Sequence, residues 1–486
     1  MLTKKATDSL AIVILSWTNR LKGIFLIPII LHALGLATYG AYVQITTNVL
    51  ILTGFAQLAL GQAVLRYGSS VEEQEVERLR EIFWSPILFS VVIALLLCAA
   101  LFFAAAPLSR LFLGGKYALA IALAAPLIVS ESIGTLLQIY LNSRRRLKQA
   151  ALFRFLKDIL PYLSFAAAIY AWHALTPGII AMTATSWAVV AIMWAILGLE
   201  VGRPGFDWAL IRTYLRFSWP FAAMAVTEGN LAAVPRLVVP YFLGTRALGA
   251  FNIVYVLARF LAATDEPLLV YLNSHLPRLW DAGSRARAAF VWERCELYFL
   301  ALACLGVVML AGVLGPVLQL WFPPIHRALG PHELIILAAL GIFGLGYGLN
   351  ELTWVAARLE ERPLLILGSS VTALAVDIPL TLLLAHRYGL AGAAVAQAAT
   401  VLIVQLLLRR ALALRPSKSF RAAFVKIVVA GTFTTAVLAL APKDGLPALA
   451  LWSLSAAVLF GLLVHLSRAV TVGEVSALLL RREGTR

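Results

Sequence analysis

Polar and charged side chains recur at a fixed interval inside one long apolar stretch of this chain. Asn252, Arg259, Glu266 and Asn273 are spaced seven apart, with Tyr255 between the first two. Seven residues are close to two helical turns, so side chains at this spacing share one face. A charge at mid-membrane costs about 2.5–3.5 kcal/mol, so these groups must face a cavity or each other. We interpret the stripe as a cavity wall in which Arg259 binds phosphate and Glu266 balances it; a hydrogen-bonded seam between helices is the alternative.

Basic residues near the N-terminus offer a second phosphate contact. Arg20 and Lys22 are two positions apart, about 200° around a helix, so they cannot share a face. We assign Arg20, with Asn19, to the cavity, and Lys22 to the cytoplasmic surface. The guanidinium fork can bind a diphosphate through two charge-assisted hydrogen bonds. Arg236 is added to the candidate cavity residues.

Tryptophan and tyrosine with nearby amides suit the faces and hydroxyls of sugars. Trp354 is therefore a candidate sugar contact, although interfacial aromatic residues are common in membrane proteins.

Four acidic residues inside apolar segments are candidates for binding a coupling ion: Glu228, Asp377, Glu351 and Glu131. A buried carboxylate can take up a proton or, with nearby carbonyl groups, a sodium ion. Asp377 precedes Ile378-Pro379, where the proline frees a backbone carbonyl. For Glu228 the alternative is a structural ion pair with Arg236. No histidine or cysteine spacing indicates a metal site, and no cofactor other than a coupling ion, H⁺ or Na⁺, is predicted.

The elements that carry these residues are apolar helices. The chain is 61% hydrophobic and 13% charged, against about 45–50% apolar and about 25% charged in soluble domains. A helix needs about 20 apolar residues to cross a bilayer, and the chain holds about fourteen such segments. The net charge of +16 is spread over short loops between them, so nucleic-acid binding is not predicted. The segments are 10–34, 40–66, 82–106, 117–140, 151–174, 177–199, 212–242, 246–274, 290–313, 332–356, 363–385, 389–408, 421–441 and 446–467.

The distribution of lysine and arginine predicts the orientation. With a cytoplasmic N-terminus and fourteen crossings, most of the 40 basic residues fall in cytoplasmic regions. Both termini are then cytoplasmic, as the preference for positive charge on the inside requires. Only six basic residues fall in outside loops: Arg110, Lys116, Arg246, Arg327, Arg387 and Lys443.

An internal repeat predicts two lobes. Leu34-Gly35 followed by Gly40 is echoed by Leu243-Gly244 followed by Gly249, at an offset of 209 residues. The repeat favours a retained first segment over a cleaved signal peptide. Six crossings per repeat give parallel repeats, and transporters built this way bind substrate between the repeats. We predict an N-terminal lobe over 1–200 with helices 1–6 and a C-terminal lobe over 201–410 with helices 7–12. Residues 411–486 hold helices 13–14 and a cytoplasmic tail.

Two stretches, from Pro28 to Arg66 and from Arg236 to Pro277, resemble a known family. They are similar to polysaccharide transporters, the Wzx-like flippases of the multidrug/oligosaccharidyl-lipid/polysaccharide exporter superfamily. The resemblance covers the chain in helix count and lobe layout, although its motifs are short. Pro235 departs from the family, which often has an acidic residue there, and this puts a coupling role at that position in doubt.

The resemblance implies an all-α polytopic membrane protein of about fourteen transmembrane helices. It also implies transport of an undecaprenyl-diphosphate-linked oligosaccharide by alternating access, without ATP or enzymatic chemistry. The expected partners are the lipid-linked oligosaccharide, membrane lipids, and polymerase and chain-length proteins of a surface polysaccharide pathway in the cytoplasmic membrane. A drug or cation exporter of the same superfamily is one alternative. A membrane glycosyltransferase or polymerase is the other, although it would usually have acids or arginines in a long outside loop.

Overall fold

The computed structural model describes residues 2–68, 75–412, 417–439 and 445–467, with side chains from Ile27 onward apart from a few positions. This described part of the chain is helical and contains no strand. The helices are α1 (Leu2–Gln57), α2 (Leu60–Gly68), α3 (Val76–Phe103), α4 (Ala105–Leu113), α5 (Ala118–Ala124), α6 (Leu127–Ser143), α7 (Leu147–Trp172), α8 (Leu175–Val201), α9 (Trp208–Ala262), α10 (Glu266–Asp281), α11 (Arg285–Gly312), α12 (Leu314–Trp321), α13 (Pro323–Leu329), α14 (Glu333–Leu359), α15 (Pro363–Ala411), α16 (Lys418–Ala439) and α17 (Leu446–Leu466).

Three of the long helices are broken at a glycine. Gly35 in α1 has φ 76° and ψ 170°, and Gly244 in α9 has φ 80° and ψ 173°. This backbone conformation is open to glycine and strained for other residues. Gly389 breaks α15 in a similar way. The predicted ends of segments 1, 7 and 11 therefore coincide with real interruptions.

The predicted apolar segments coincide with helices throughout the described residues. By length and composition, ten helical stretches there could cross a membrane. Two of them are 49 and 48 residues long, and the second of these contains the break at Gly389. The prediction of an all-α polytopic membrane protein is confirmed, and the count of fourteen crossings stays a prediction.

The chain folds into two compact units, 1–252 and 253–486, which meet within the sequence of α9. In the N-terminal unit, α7 packs against α1, α6 and α8, and α6 packs against α2 and α3. Its core includes Phe153 and Phe165, both buried, and the ring centroids of Tyr42 and Phe165 are 4.6 Å apart. These contacts hold α1, α6 and α7 against one another. The predicted lobes, 1–200 and 201–410, were defined by the internal repeat and not by compactness, and they stay a prediction.

The two repeat motifs touch each other within the N-terminal unit. A Cβ added at Gly40 would meet the carbonyl oxygen of Thr245. A Cβ added at Gly249 would lie 2.5 Å from the carbonyl oxygen of Leu36. The two backbones therefore approach as closely as glycine allows.

In the C-terminal unit, α14 packs against α11 and α15, and α11 packs against α16. Trp292 is fully buried and donates its indole N–H to the carbonyl oxygen of Leu352, at 3.1 Å. Beside it, Arg409 Nη2 lies 2.5 Å from Glu296 Oε2. The Thr353 hydroxyl donates to the other Glu296 oxygen at 3.3 Å. This ion pair joins α11, α14 and α15.

Candidate substrate and ion sites

Arg259 lies at the centre of an aromatic and acidic cluster in the C-terminal unit. Its Cζ atom is 3.8 Å from the centroid of the Tyr347 ring. Tyr347 also hydrogen-bonds to Glu351, one turn further along α14, and Glu351 interacts electrostatically with Arg259. Tyr255 stacks on Phe343 with centroids 5.1 Å apart, which places a second tyrosine against the same helix. Glu351 is therefore a carboxylate that can balance the charge of Arg259, and the same role for Glu266 stays a prediction.

This cluster holds a guanidinium in place without sealing it. Arg259 is half-buried, and a cation over an aromatic face is stabilised by about 0.5–2 kcal/mol. Tyr347 also makes a side-chain hydrogen bond with the guanidinium, which has five N–H donors in all. An anion that approached Arg259 would have to compete with the Glu351 carboxylate for the guanidinium. The arrangement is therefore able to bind phosphate.

The polar stripe differs from the sequence prediction. A 3-10 turn over Ala263–Asp265 separates α9 from α10, which begins at Glu266. Because a 3-10 turn has three residues per turn, it shifts the helical register between the two halves. Asn252 is buried and its amide donates to the Tyr39 hydroxyl at 2.8 Å, whereas Asn273 is exposed. The stripe is not one continuous helical face, and Asn252 fits the alternative of a seam between helices.

Asp377 lies in a buried cluster of neutral donors. Its Oδ1 accepts hydrogen bonds from Gln397 Nε2 at 2.6 Å, Thr381 Oγ1 at 3.0 Å and Thr400 Oγ1 at 3.2 Å. Its Oδ2 is also buried and has no hydrogen-bond partner among the described residues. The groups that act on this carboxylate in the described part of the chain are neutral, and no basic side chain is among them. A proton or a small cation would neutralise this carboxylate.

Glu131 lies on a cavity in the N-terminal unit. The cavity has a volume of about 300 Å³ and is bounded by α1, α6, α7, α8 and α9. Lys157 Nζ lies 2.6 Å from Glu131 Oε2 and 3.4 Å from Asp158 Oδ1. Arg236 lines the same cavity. Glu131 and Arg236 are thereby brought together with Lys157 and Asp158, which the sequence reasoning missed although both interrupt an apolar segment.

The remaining candidates are placed as follows. Trp354 is half-buried and donates its indole N–H to the Ser369 hydroxyl at 3.3 Å, a contact between α14 and α15. Asn19, Arg20 and Glu228 are in helices, but their side chains lie outside the described part of the structure. Their proposed roles therefore rest on the sequence.

Comparison with known proteins gives the fold a name. A family model described as polysaccharide biosynthesis protein matches residues 33–270. A lipid II flippase, MurJ in an inward closed conformation, superposes with a TM-score of 0.73 at 15% identity, covering 97% of this chain and 99% of that one.

Transporters of the multidrug type have a similar fold. An inward-facing MATE family multidrug resistance transporter of the MOP superfamily gives a TM-score of 0.62 at 12% identity, covering 86% of this chain and 95% of that chain. A MATE transporter of Vibrio cholerae gives 0.55 at 14% identity, covering 84% of this chain and 98% of that chain. No curated protein sequence matches the chain.

Residues 33–270 are thus similar to the polysaccharide biosynthesis family, and the chain has a fold that MurJ and MATE transporters share. The resemblance inferred from short motifs is thereby confirmed. The fold is similar to that of a flippase and of multidrug transporters. The solved structures are too distant in sequence to carry any residue role over to this chain.

Proposed function

We propose that this protein flips an undecaprenyl-diphosphate-linked oligosaccharide from the cytoplasmic to the outer leaflet of the cytoplasmic membrane. Transport is by alternating access and serves surface polysaccharide biosynthesis: O-antigen, capsule or exopolysaccharide. The observation that carries the proposal is Arg259, a half-buried cation held over Tyr347 on helices long and apolar enough to span a membrane. The match to the polysaccharide biosynthesis family supports a glycan-related cargo. Both termini face the cytoplasm, where the basic loops lie.

The test replaces the proposed phosphate contacts and measures glycan output. Arg259→Ala removes a charge-assisted contact, and we expect at least about a tenfold loss of surface glycan at normal protein level. Arg259→Lys keeps the charge but loses the fork, so it should restore output only partly. Arg20→Ala should also reduce output. Arg285, exposed and 5.2 Å from the Trp280 ring centroid, is the matched control. Normal output from well-expressed Arg259→Ala and Arg20→Ala variants would remove both residues from the site.

A drug or cation exporter is the second candidate, because MATE transporters share the fold. Such a cargo would bind to the acidic groups rather than to Arg259. Cells lacking the protein would then make normal glycan and become sensitive to cationic drugs. Loss of glycan without drug sensitivity would favour the flippase.

We propose further that Asp377 couples transport to H⁺ or Na⁺. Its neutral surroundings support this role, because bound cations or protons supply the charge that the protein does not. If Na⁺ binds there, added Na⁺ should raise the thermal stability of the wild type by mass action and not that of Asp377→Asn. Exposed Asp281→Asn is the control. A Na⁺ effect that persists in Asp377→Asn would place the ion elsewhere, and normal transport by this variant would exclude coupling through Asp377.

A further inference from the structure

The cavity of the N-terminal unit combines charges of both signs with hydroxyl groups. Two cations, Lys157 and Arg236, and two carboxylates, Glu131 and Asp158, line it. Their formal charges cancel. A pocket without net charge gains little from a bound anion, and a neutral ligand with many hydroxyls can use groups of both kinds.

The lysine in this cavity already has its counter-charges. Lys157 is buried, and its ammonium contacts Glu131 at 2.6 Å and Asp158 at 3.4 Å. A phosphate would have to displace one of these carboxylates to reach the ammonium. A hydroxyl group would not, because Lys157 contacts only Oε2 of Glu131, and Oε1 can accept a hydrogen bond from the ligand. The second oxygen of Asp158 lies 3.6 Å from Arg154 Nε. Glu131 is one-third exposed, so its carboxylate is accessible to such a ligand.

Three threonines of α1 line the cavity, and one of them has a hydroxyl without a hydrogen-bond partner among the described residues. Thr46 and Thr47 donate to backbone carbonyl oxygens one turn earlier, including that of Val43 at 3.1 and 2.7 Å. Thr53 also lines the cavity, but its hydroxyl is buried and has no hydrogen-bond partner among the described residues. An unpaired buried hydroxyl is costly, and a ligand that reached it would remove that cost.

We propose that this cavity binds an uncharged, hydroxyl-rich saccharide, which is the glycan part of the cargo. The inference rests on the proposed flippase function. The volume of about 300 Å³ lies at the lower end of the range for small-molecule sites, which suits a short saccharide better than a polyprenyl chain. Glu131, Asp158 and Thr53 accept from or donate to the sugar hydroxyls, while Lys157 fixes the two carboxylates in position.

The test compares two probes on the purified full-length protein. One is the lipid-linked saccharide fraction extracted from cells that lack this protein, and the other is bare undecaprenyl diphosphate. Glu131→Gln loses a charge-assisted acceptor, and we expect about tenfold weaker binding of the saccharide-bearing fraction. Binding of bare undecaprenyl diphosphate should not change. Glu200→Gln, in an ion pair with Arg146 outside the cavity, is the matched control and should change neither.

A second variant pair separates binding from folding. Thr53→Val removes a buried hydroxyl that has no partner among the described residues, so the ligand-free protein should be at least as thermally stable as the wild type. Its binding of the saccharide fraction should fall by about two- to tenfold. Thr47→Val makes the same change on the same helix at a hydroxyl already bonded to Val43, so its effect on binding should be smaller.

Each outcome decides the proposal. Weaker binding of the saccharide fraction alone supports it. Equal loss for both probes would place the diphosphate in this cavity and overturn the saccharide assignment, while the flippase function would stand. Unchanged binding of both probes by Glu131→Gln and Thr53→Val would remove the cavity from the cargo site. A wild-type protein that binds neither probe would contradict the flippase function itself, and the saccharide site with it.

Discussion

Two buried ion pairs, one in each unit, use the same chemistry in different surroundings. In the C-terminal unit Glu296 is fully buried, Arg409 is 17% exposed, and Thr353 donates to the second carboxylate oxygen. In the N-terminal unit Lys157 is as closely paired, at 2.6 Å, but Glu131 is 33% exposed and faces a cavity. The first pair is closed by the protein itself, and the second leaves room for a ligand.

Burial of charge alone does not identify a binding site. A buried ion pair contributes little net stability, because desolvation offsets the attraction between the charges. The two ion pairs differ in their carboxylates. A carboxylate oxygen that can accept a further hydrogen bond and faces a cavity is able to bind a ligand. Arg409 and Glu296 join three helices, whereas the Lys157 cluster borders the cavity for which we propose a ligand.

The largest effect is expected from Arg409→Met. This change leaves Glu296 fully buried without its cation, at a cost of about 3–5 kcal/mol in unfolding free energy. Denaturant unfolding of the purified protein in detergent measures it. The double variant Arg409→Met/Glu296→Met should recover most of the stability, since no charge remains. A single variant as stable as the wild type would mean that water reaches Glu296.

A smaller loss of stability is expected from Lys157→Met. Glu131 and Asp158 lose their shared cation, but the cavity gives Glu131 access to water, so we expect about 1–3 kcal/mol. The same unfolding measurement, run beside Arg409→Met, tests the comparison directly. If Lys157→Met lowers the unfolding free energy as much as Arg409→Met does, water in the cavity does not solvate the Glu131 carboxylate. The two ion pairs would then be equally closed to solvent.

The smallest effect is expected from Glu200→Gln. Glu200 and Arg146 form an ion pair with side chains 47% and 36% exposed. Such surface pairs contribute about 0–1 kcal/mol and weaken with salt. Unfolding at low and high ionic strength should show a difference between the variant and wild type only at low salt. A cost that is large or independent of salt would mean that exposure is a poor guide to the three pairs.

The sequence predicted the helices well because apolar length and glycine position are local signals. The ends of segments 1 and 7 coincided with Gly35 and Gly244 for that reason. The seven-residue stripe is interrupted by a 3-10 turn between Arg259 and Glu266, which periodicity alone cannot detect.

The surroundings of the charged residues were harder to predict, because they depend on tertiary packing. Asp377 was identified as an acidic residue in an apolar segment, but its partners Gln397 and Thr400 come from beyond the break at Gly389. Lys157 and Asp158 could have been found, since charges at mid-segment were the criterion used for the other candidates.

The glycine contact between the two repeat motifs has the form of a twofold dimer interface inside one chain. Gly40 faces the backbone of the second motif and Gly249 faces that of the first, so the same surface forms both sides of the contact. Interfaces of this isologous kind are typical of two identical subunits. A side chain added at either glycine would clash with a backbone carbonyl of the other repeat motif. The same contact therefore requires glycine at both positions.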